Sequence, residues 1–589
     1  MKRKYRGNVL VLGHGDRAFL TVIRSLGRAG LNVHVAMCAS DDIALKSRYV
    51  AQWHDVPAYQ AGDDAWINAI EALLEATAFQ LVIPCEDQAV IPLQHYRRRL
   101  QDRCQLYTLG EKAYEIAFSK IKSSELATEL GIAQPRTVTL TPGGGLESIA
   151  DFSWPVIVKP PSSFTSTDLS AKRGVTRCRT PEELMAALTA MQSWGGALVQ
   201  ENFSGSGVGV ELLVHQGEVL VAFQHVRVHE PLEGGGSSYR RSASLHPELL
   251  AASKSMMKAL DYTGVAMVEF KFDFATGDWV FIEINGRFWG SLPLAVAAGV
   301  DFPRYLYEML VHDRREFPQC YRTPLYCRNI SSDQRWLRSN LRADKSDPLL
   351  ATRPLRAVAM EPLNVLRLRE RWDTLVWDDP APGIADLTNI VSDAGRKLAR
   401  VCRRRIHDAS MVRRWQRRRV LTRAQSATNI LFVCKGNICR SPFAERYARR
   451  RLPPTVTVKS CGYYPIDGRR SPAIAQQVAQ QFGIELESHR SQVISEQLVA
   501  DADLIFIFDE LNRDTVSQRF PSSSGRIFEV GVLGSRYPCR VDDPYGGEEA
   551  TFANAYAQIA EAIDHLAAKL GETALADPST AHELGGDGI

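Results

Sequence analysis

The stretch NILFVCKGNICRSPFAERYARRRL at 429–452 runs from an apolar strand-like segment through a short polar loop into a helix-forming segment. Such a strand–loop–helix unit must bury the strand and one stripe of the helix, so it commits its region to a parallel sheet flanked by helices. The rhythm continues with TVTVKSCG, a helix near 471–483, LIFIFD, RIFEV and the long helical stretch TFANAYAQIAEAIDHLAAKL. Residues 428–570 therefore read as one α/β domain.

The loop itself carries chemistry. Pro442 suits the first turn of the helix, where its missing N–H costs nothing. Backbone amides of a loop entering a helix converge into an anion site, and the same positive field favours an ionised sulfur at Cys434, making it a nucleophile. Arg440 offers a planar fork of donors for two phosphoryl oxygens. Gly436 permits positive φ, and Asn437 tolerates it while its amide pins the loop. A phenolate leaves poorly unless an acid protonates it, and Asp543 in RVDDPYGG, stiffened by Pro544 and beside Tyr545, is the candidate.

The chain as a whole is 589 residues long, too long for one core, with 45% hydrophobic and 23% charged residues and a formal net charge of +4. The N-terminus reads as a buried strand cut by Gly13, His14 and Asp16, not as a signal peptide, and GHG at 13–15 is a tight strand–helix turn, too short for a dinucleotide fingerprint. No window approaches a membrane span, so the expected location is cytoplasmic. The 11 cysteines show neither metal-ligand nor disulfide rhythm.

Residues 7–105 alternate NVLVLG, NVHVAM and LVIPCE with the helical FLTVIRSLGRAG and AWINAIEALLEATA, again a parallel pattern. From about 118 to 325 helix and antiparallel strands take over, with HQGE and ATGD as turns. WPVIVKP places Lys159 at a strand end, ALVQENF places Glu201 at another, and EFKFDFATGDWVFIEINGR carries Glu269 on one strand with Glu283 and Asn285 on the next. Residues two apart on a strand share a face, so three oxygen donors converge, a hard-cation set, with Arg287 following. The segment 396–423 holds twelve Arg or Lys against one acid. It reads as a solvated, partly helical connector packing one face on a neighbour; weak contact with an anionic membrane is its functional alternative, and no specific nucleic-acid motif accompanies it.

Residues 428–570 resemble a low-molecular-weight protein tyrosine phosphatase, through VCKGNICRSP, SCG at 460–462, SPA at 471–473, GIELESHRS at 483–491, LIFIFDE and DDPYGG. The resemblance implies a phosphocysteine intermediate on Cys434, phosphate binding by Arg440, and Asp543 as acid and then base. It further implies that Ser441 steadies the sulfur, that Asn437 and His489 fix the loop, and that Tyr545 walls an aromatic pocket; no cofactor is implied. Arsenate reductases of this fold use further resolving cysteines, and none lies between Cys461 and Cys539. Arginine phosphatases tend to carry Thr where this chain has Ile438, which favours phosphotyrosine, and Cys439 matches a cysteine able to protect the nucleophile as a disulfide.

The span 7–325 resembles ATP-grasp proteins of the carbamoyl-phosphate-synthase-like type, with EINGRFWGSLPLAVAAGVDFP as the metal-strand signature. The resemblance implies ATP binding by Lys120 (Lys122 being the alternative), Lys159, Glu201, Glu211 and Arg287, and Mg²⁺ or Mn²⁺ on Glu269, Glu283 and Asn285. The loop 230–244 is expected over the acceptor site, where Arg240 and Arg241 can hold a carboxylate.

The expected architecture is an α/β multidomain chain: an ATP-grasp fold, with a Rossmann-like subdomain at 1–105 and two α+β lobes at 106–325, a basic connector at 326–427, a Rossmann-like phosphatase domain with a four-stranded parallel sheet at 428–571, and a disordered tail at 572–589. The expected activities are hydrolysis of a phosphotyrosine protein or aryl phosphate and ATP-dependent joining of a small carboxylic acid to an amine. A nucleotide-binding regulatory module without ligation is the alternative for the first half.

Overall fold

The computed structural model describes residues 5–140, 146–165, 167–170, 172–191, 194–232, 234–347, 350–408 and 410–575. They form two compact units, Met1–Ser392 and Asp393–Ile589.

The first unit opens with a parallel sheet of β1 (Asn8–Leu12), β2 (Asn32–Ala36), β3 (Val50–His54) and β4 (Phe79–Pro84) in the order β3-β2-β1-β4. Val9 to Leu12 are fully buried, as expected of a central strand covered on both faces. The edge strand β3, VAQWH, has no apolar run and escapes sequence reading. A small antiparallel sheet follows: β5 (Thr137–Leu140), β6 (Val156–Lys159), β7 (Thr176–Cys178) and β8 (Ala197–Glu201), ordered β5-β8-β6-β7.

The large sheet contains β9 (Ser206–His215), β10 (Glu218–His229), β11 (Tyr239–Ala243), β12 (Gly264–Phe272), β13 (Trp279–Asn285), β14 (Tyr326–Arg328) and β15 (Glu370–Trp372). Its order is β13-β12-β9-β10-β11-β14-β15, antiparallel except for the last pair. Two glycines of β9 clear space on one face. A Cβ at Gly209 would fall 2.2 Å from the His225 ring and one at Gly207 2.5 Å from the Arg227 side chain. Large polar residues of β10 can therefore lie across β9.

Residues 326–372, expected to begin a connector, instead supply two sheet strands and the helix Ile330–Arg342. Strands of three residues carry no period to read. The chain that follows is locked to the first sheet layer: the buried Arg24 pairs with Asp379 at 2.8 Å and donates to the carbonyls of Asp373, Thr374 and Asp379, while Asp379 also accepts from the Ser47 hydroxyl at 2.7 Å. Beyond it lie the helices Ala381–Asp408 and Ser410–Ala424. Among the described residues no helix is long and apolar enough to cross a membrane.

The second unit is built on β16 (Asn429–Cys434), β17 (Thr457–Gly462), β18 (Leu504–Ile507) and β19 (Ile527–Glu529), all parallel, in the order β17-β16-β18-β19. The helix Ser410–Ala424 packs on this unit: Val420 and Ala424 are buried in its core, and Arg413 and Arg423 donate to the carbonyls of Gly531, Gly534 and Gly525. Met411 and Trp415 face outward. The closing helix runs Glu549–Leu575, four residues past the expected end of the domain; the remainder of the expected tail, 576–589, lies outside the described residues.

Removing one partner of a buried ion pair strands the other charge, at a cost of about 3–5 kcal/mol. Asp379→Ala should therefore destabilise the first unit by that order, read as faster amide exchange in β1 and β2, with β16 and β18 unaffected.

Candidate functional site

In the second unit, β16 delivers Cys434 to the loop and the helix Arg440–Arg451 begins at its far end. Asn437 is the loop's left-handed residue, at φ 50°. The sequence expectation that Gly436 also takes positive φ is not met; its carbonyl instead accepts from Arg469 Nη2 at 2.6 Å, and a Cβ on it would fall 3.2 Å from that guanidinium. Asn437 Nδ2 donates to the hydroxyls of Ser441 (2.9 Å) and Ser460 (2.8 Å), its Oδ1 accepts from the Gln492 amide (2.8 Å), and its carbonyl accepts from His489 Nε2 (2.8 Å). Burial lowers the His489 pKa, in keeping with a neutral ring that donates from Nε2. Gly462 closes the loop from beneath: a Cβ there would lie 2.8 Å from the Asn437 amide nitrogen and the Lys435 carbonyl.

Cys434 Sγ is buried, receives the Asn437 backbone N–H at 3.2 Å and lies 3.0 Å from Ser441 Oγ. Arg440 is almost wholly buried; it bonds Asp509 Oδ2 at 2.6 Å and the Val541 carbonyl at 3.0 Å through Nη1, and Asp543 Oδ2 at 3.0 Å through Nη2. Burial opposes its charge, but Cys434, Asp543 and Asp509 more than offset that and its pKa rises. Asp543 keeps a half-exposed side chain and Tyr545 beside it is exposed. Sequence reasoning did not assign Asp509, although it ends an apolar strand and caps the helix Glu510–Arg519, accepting from the Asn512 amide. Cys439 and Cys461 are buried free thiols, both pushed up by burial.

The first unit holds a cavity of about 580 Å³ lined by Lys120, Lys159, Glu201, Glu269, Glu283, Asn285 and Arg287. Glu269 and Glu283 sit directly opposite on β12 and β13, and Asn285 lies two residues on, donating to Glu283 at 3.2 Å. Burial raises the Glu269 pKa. For Glu283 burial acts the same way, but Lys120, Lys159 and Lys172 outweigh it and the value falls. Burial lowers Lys120, and brings Lys159 down to about 8. Glu201 accepts the Ser153 amide at 2.8 Å, and Arg287 pairs with Asp87 at 3.0 Å. Lys122 points away, onto Glu115.

Two expectations fail here. Glu211 does not line the cavity: it is fully buried two residues along β9 from Gly209, covered by Ser291 Oγ (2.7 Å) and His225 Nδ1 (2.8 Å). Arg240 is not on a loop but buried in β11, on Asp373 Oδ1 at 2.5 Å, and Arg241 is half-buried in the same strand. Sequence reasoning missed Arg227, which pairs with Glu269 at 2.7 Å, and Lys271, which lines the same cavity. The strand period held the signal, since Lys271 follows Glu269 by two.

Glu269, Glu283 and Asn285 offer oxygen donors of the kind a divalent cation takes, and such an ion would share Glu269 with Arg227.

Residues 429–575 match the family described as low molecular weight phosphotyrosine protein phosphatase, and residues 195–331 match the one described as ATP-grasp in the biosynthetic pathway with Ter operon. A probable low molecular weight protein-tyrosine-phosphatase EpsP of Ralstonia solanacearum is 37% identical over 135 residues, 23% of this chain and 90% of that protein. A protein-arginine-phosphatase of Geobacillus stearothermophilus is 32% identical over 141 residues, 24% of this chain and 95% of that protein. The crystal structure of an L-amino acid ligase from Bacillus licheniformis is similar with a TM-score of 0.42 and 18% identity, over 53% of this chain and 75% of that one. Through its second unit the chain belongs to the low molecular weight phosphotyrosine protein phosphatase family, and it carries an ATP-grasp domain ahead of that phosphatase domain.

Proposed function

We propose that the protein is bifunctional: a protein-tyrosine phosphatase working through a phosphocysteine, and an ATP-dependent carboxylate–amine ligase. The observation that carries the first reading is the convergence of the Asn437 amide on Cys434 Sγ with Arg440 held between Asp509 and Asp543. Cys434 attacks phosphorus while Arg440 and the loop amides bind the equatorial oxygens, and the phenolic oxygen leaves with the proton of Asp543. In the second step Asp543 takes a proton from water, the water oxygen bonds phosphorus, and the sulfur leaves as a thiolate held by Ser441 and the Asn437 amide. Phosphate is released. Tyr545, exposed beside Asp543, suits an aromatic substrate. Hydrolysis of phosphoarginine is the second reading, favoured by the similarity to an arginine phosphatase; Ile438 in the cradle argues for phosphotyrosine.

In the ligase reading, Lys120 and Lys159 bind the phosphates of ATP and Glu201 reads the base end of the cavity. A Mg²⁺ held by Glu269, Glu283 and Asn285 would neutralise phosphate charge when bound. The acid accepts the γ-phosphoryl group, and attack of an amine on the acylphosphate expels phosphate and forms the amide. Substrate-dependent ADP release with an acid and an amine together supports ligation; nucleotide binding with no such release leaves a regulatory module.

Cys434→Ser should abolish hydrolysis of p-nitrophenyl phosphate, and Asp543→Ala should slow poor, high-pKa phenolic leaving groups by about 10²–10⁴-fold while leaving orthovanadate binding intact. Full activity in Cys434→Ser would remove the proposed nucleophile.

Gly462→Ala pushes a methyl group into the loop backbone, and overpacking of this kind costs about 1–3 kcal/mol. It should lower kcat more than it raises KM, since the displaced amides serve the transition state most; a steady-state assay checks it.

Lys159 titrates near 8 in the fold and near 10.5 when unfolded. Its burial cost is fully present below pH 8 and relieved as pH rises from 8 to 10.5, so stability rises with pH there. Nucleotide affinity runs the other way: the non-hydrolysable analogue AMPPNP should bind less tightly above pH 8, by up to about tenfold per unit. Lys159→Gln should weaken binding at pH 7 and flatten that slope in a calorimetric titration.

A further inference from the structure

The cleft of the first unit adjoins a second cavity of about 520 Å³, and Gly235 lines both. Its wall is built from Arg17 just after β1, the loop after β10, and Ser332, Arg335 and Trp336 on the helix Ile330–Arg342. Arg17 donates through Nη2 to Ser332 Oγ at 2.8 Å and through Nη1 to the Ser237 carbonyl at 3.1 Å. Arg335 Nη2 donates to the same Ser332 Oγ at 3.2 Å. Two guanidinium groups thus meet on one neutral oxygen, and among the described residues neither forms an ion pair with a carboxylate. Like charges so placed cost energy unless an anion lies between them.

The place of this pair in the fold is also informative. A Cβ on Gly290 would fall 3.3 Å from Arg17 Nη1, so Arg17 lies against the chain that leaves β13 just after Glu283, Asn285 and Arg287. An anion held here sits beyond the strand end that carries the cleft carboxylates, apart from Lys120 and Lys159, which line only the first cavity. Burial lowers the Arg17 pKa and the neighbouring Arg240 adds to that; Asp373 and Asp16 act against the shift without cancelling it, which leaves a penalty that a bound anion would offset. Leu232, Pro231 and Trp336 give the rest of the cavity an apolar wall, and its volume exceeds what a carboxylate alone needs.

We infer that this second cavity binds the amine component of the ligation through a carboxylate that does not react, so that the amine substrate is an amino acid, clamped by Arg17 and Arg335 with its side chain against Trp336 and Leu232. The inference rests on the ligase reading of the first unit. It replaces Arg240, which the strand buries on Asp373, and the half-buried Arg241 with a pair of cations that face a cavity.

Calorimetric titration of the full chain with the twenty standard L-amino acids and their C-terminal amides, each with and without saturating Mg·AMPPNP, tests it. At least one amino acid should bind, its amide should bind tenfold or more weakly, and Arg17→Gln and Arg335→Gln should each weaken the amino acid tenfold or more. Arg335 is exposed, so its replacement leaves the fold intact and keeps the test decisive. The inference is overturned if no amino acid binds in either condition, if amides bind as tightly as acids, or if Arg335→Gln leaves the affinity within twofold. Amino-acid binding to unaltered protein that fails to bind AMPPNP would sink the nucleotide reading and leave the carboxylate clamp standing.

Discussion

Asn437 is the residue on which the shape of the loop after β16 depends. A non-glycine residue at φ 50° costs on the order of 1 kcal/mol, and here the cost is met by four side-chain and carbonyl hydrogen bonds, each contributing about 0.5–1.5 kcal/mol. Those bonds reach β17 through Ser460 and the 489–492 segment through His489 and Gln492. The loop's shape is thus imposed from two outside directions while its amide points at Cys434. A loop braced in this way holds its amide fixed, and electrostatic stabilisation works best when the donors are fixed beforehand.

The two units handle buried charge differently. Around Arg440, two carboxylates and a sulfur neutralise one guanidinium, so the group is set before any ligand arrives. In the first unit Lys120, Lys159 and Lys172 crowd around Glu283 while Glu269 is occupied by Arg227, leaving an excess of cationic side chains in a secluded cleft. A polyanion relieves that excess. The distant charge clamp of Arg24 and Asp379 has no such role; it fastens the chain after β15 to the first helix, and its carboxylate is saturated by Ser47 and the Arg48 amide.

What the sequence makes legible follows from how each residue is placed. Cys434, Arg440 and Asp543 are readable because a strand end, a short loop and a helix start leave few geometries, and Glu269, Glu283 and Asn285 because the strand period puts them on adjoining strands. Glu211 misleads for the same reason: it lies on the same face of β9 as Gly209, and only the tertiary cover of Ser291 and His225 removes it from the cleft. Asp509, Arg227 and Arg17 could not be assigned from local pattern, since each gains its meaning from a partner far along the chain. Strands β14 and β15 are invisible for another reason, being held by pairing rather than by any apolar run of their own.

The helix Ser410–Ala424 changes where the hydrolytic half begins. Its Val420 and Ala424 fill the core behind β16, and its arginines saturate carbonyls of the 525–534 turn region. Excising that half at residue 428, where similarity to free-standing phosphatases starts, would bare an apolar groove and strip the arginine donors from three peptide oxygens. In this chain the catalytic half has annexed part of its own tether, so the tether's basic character is partly an anchoring device rather than a free surface.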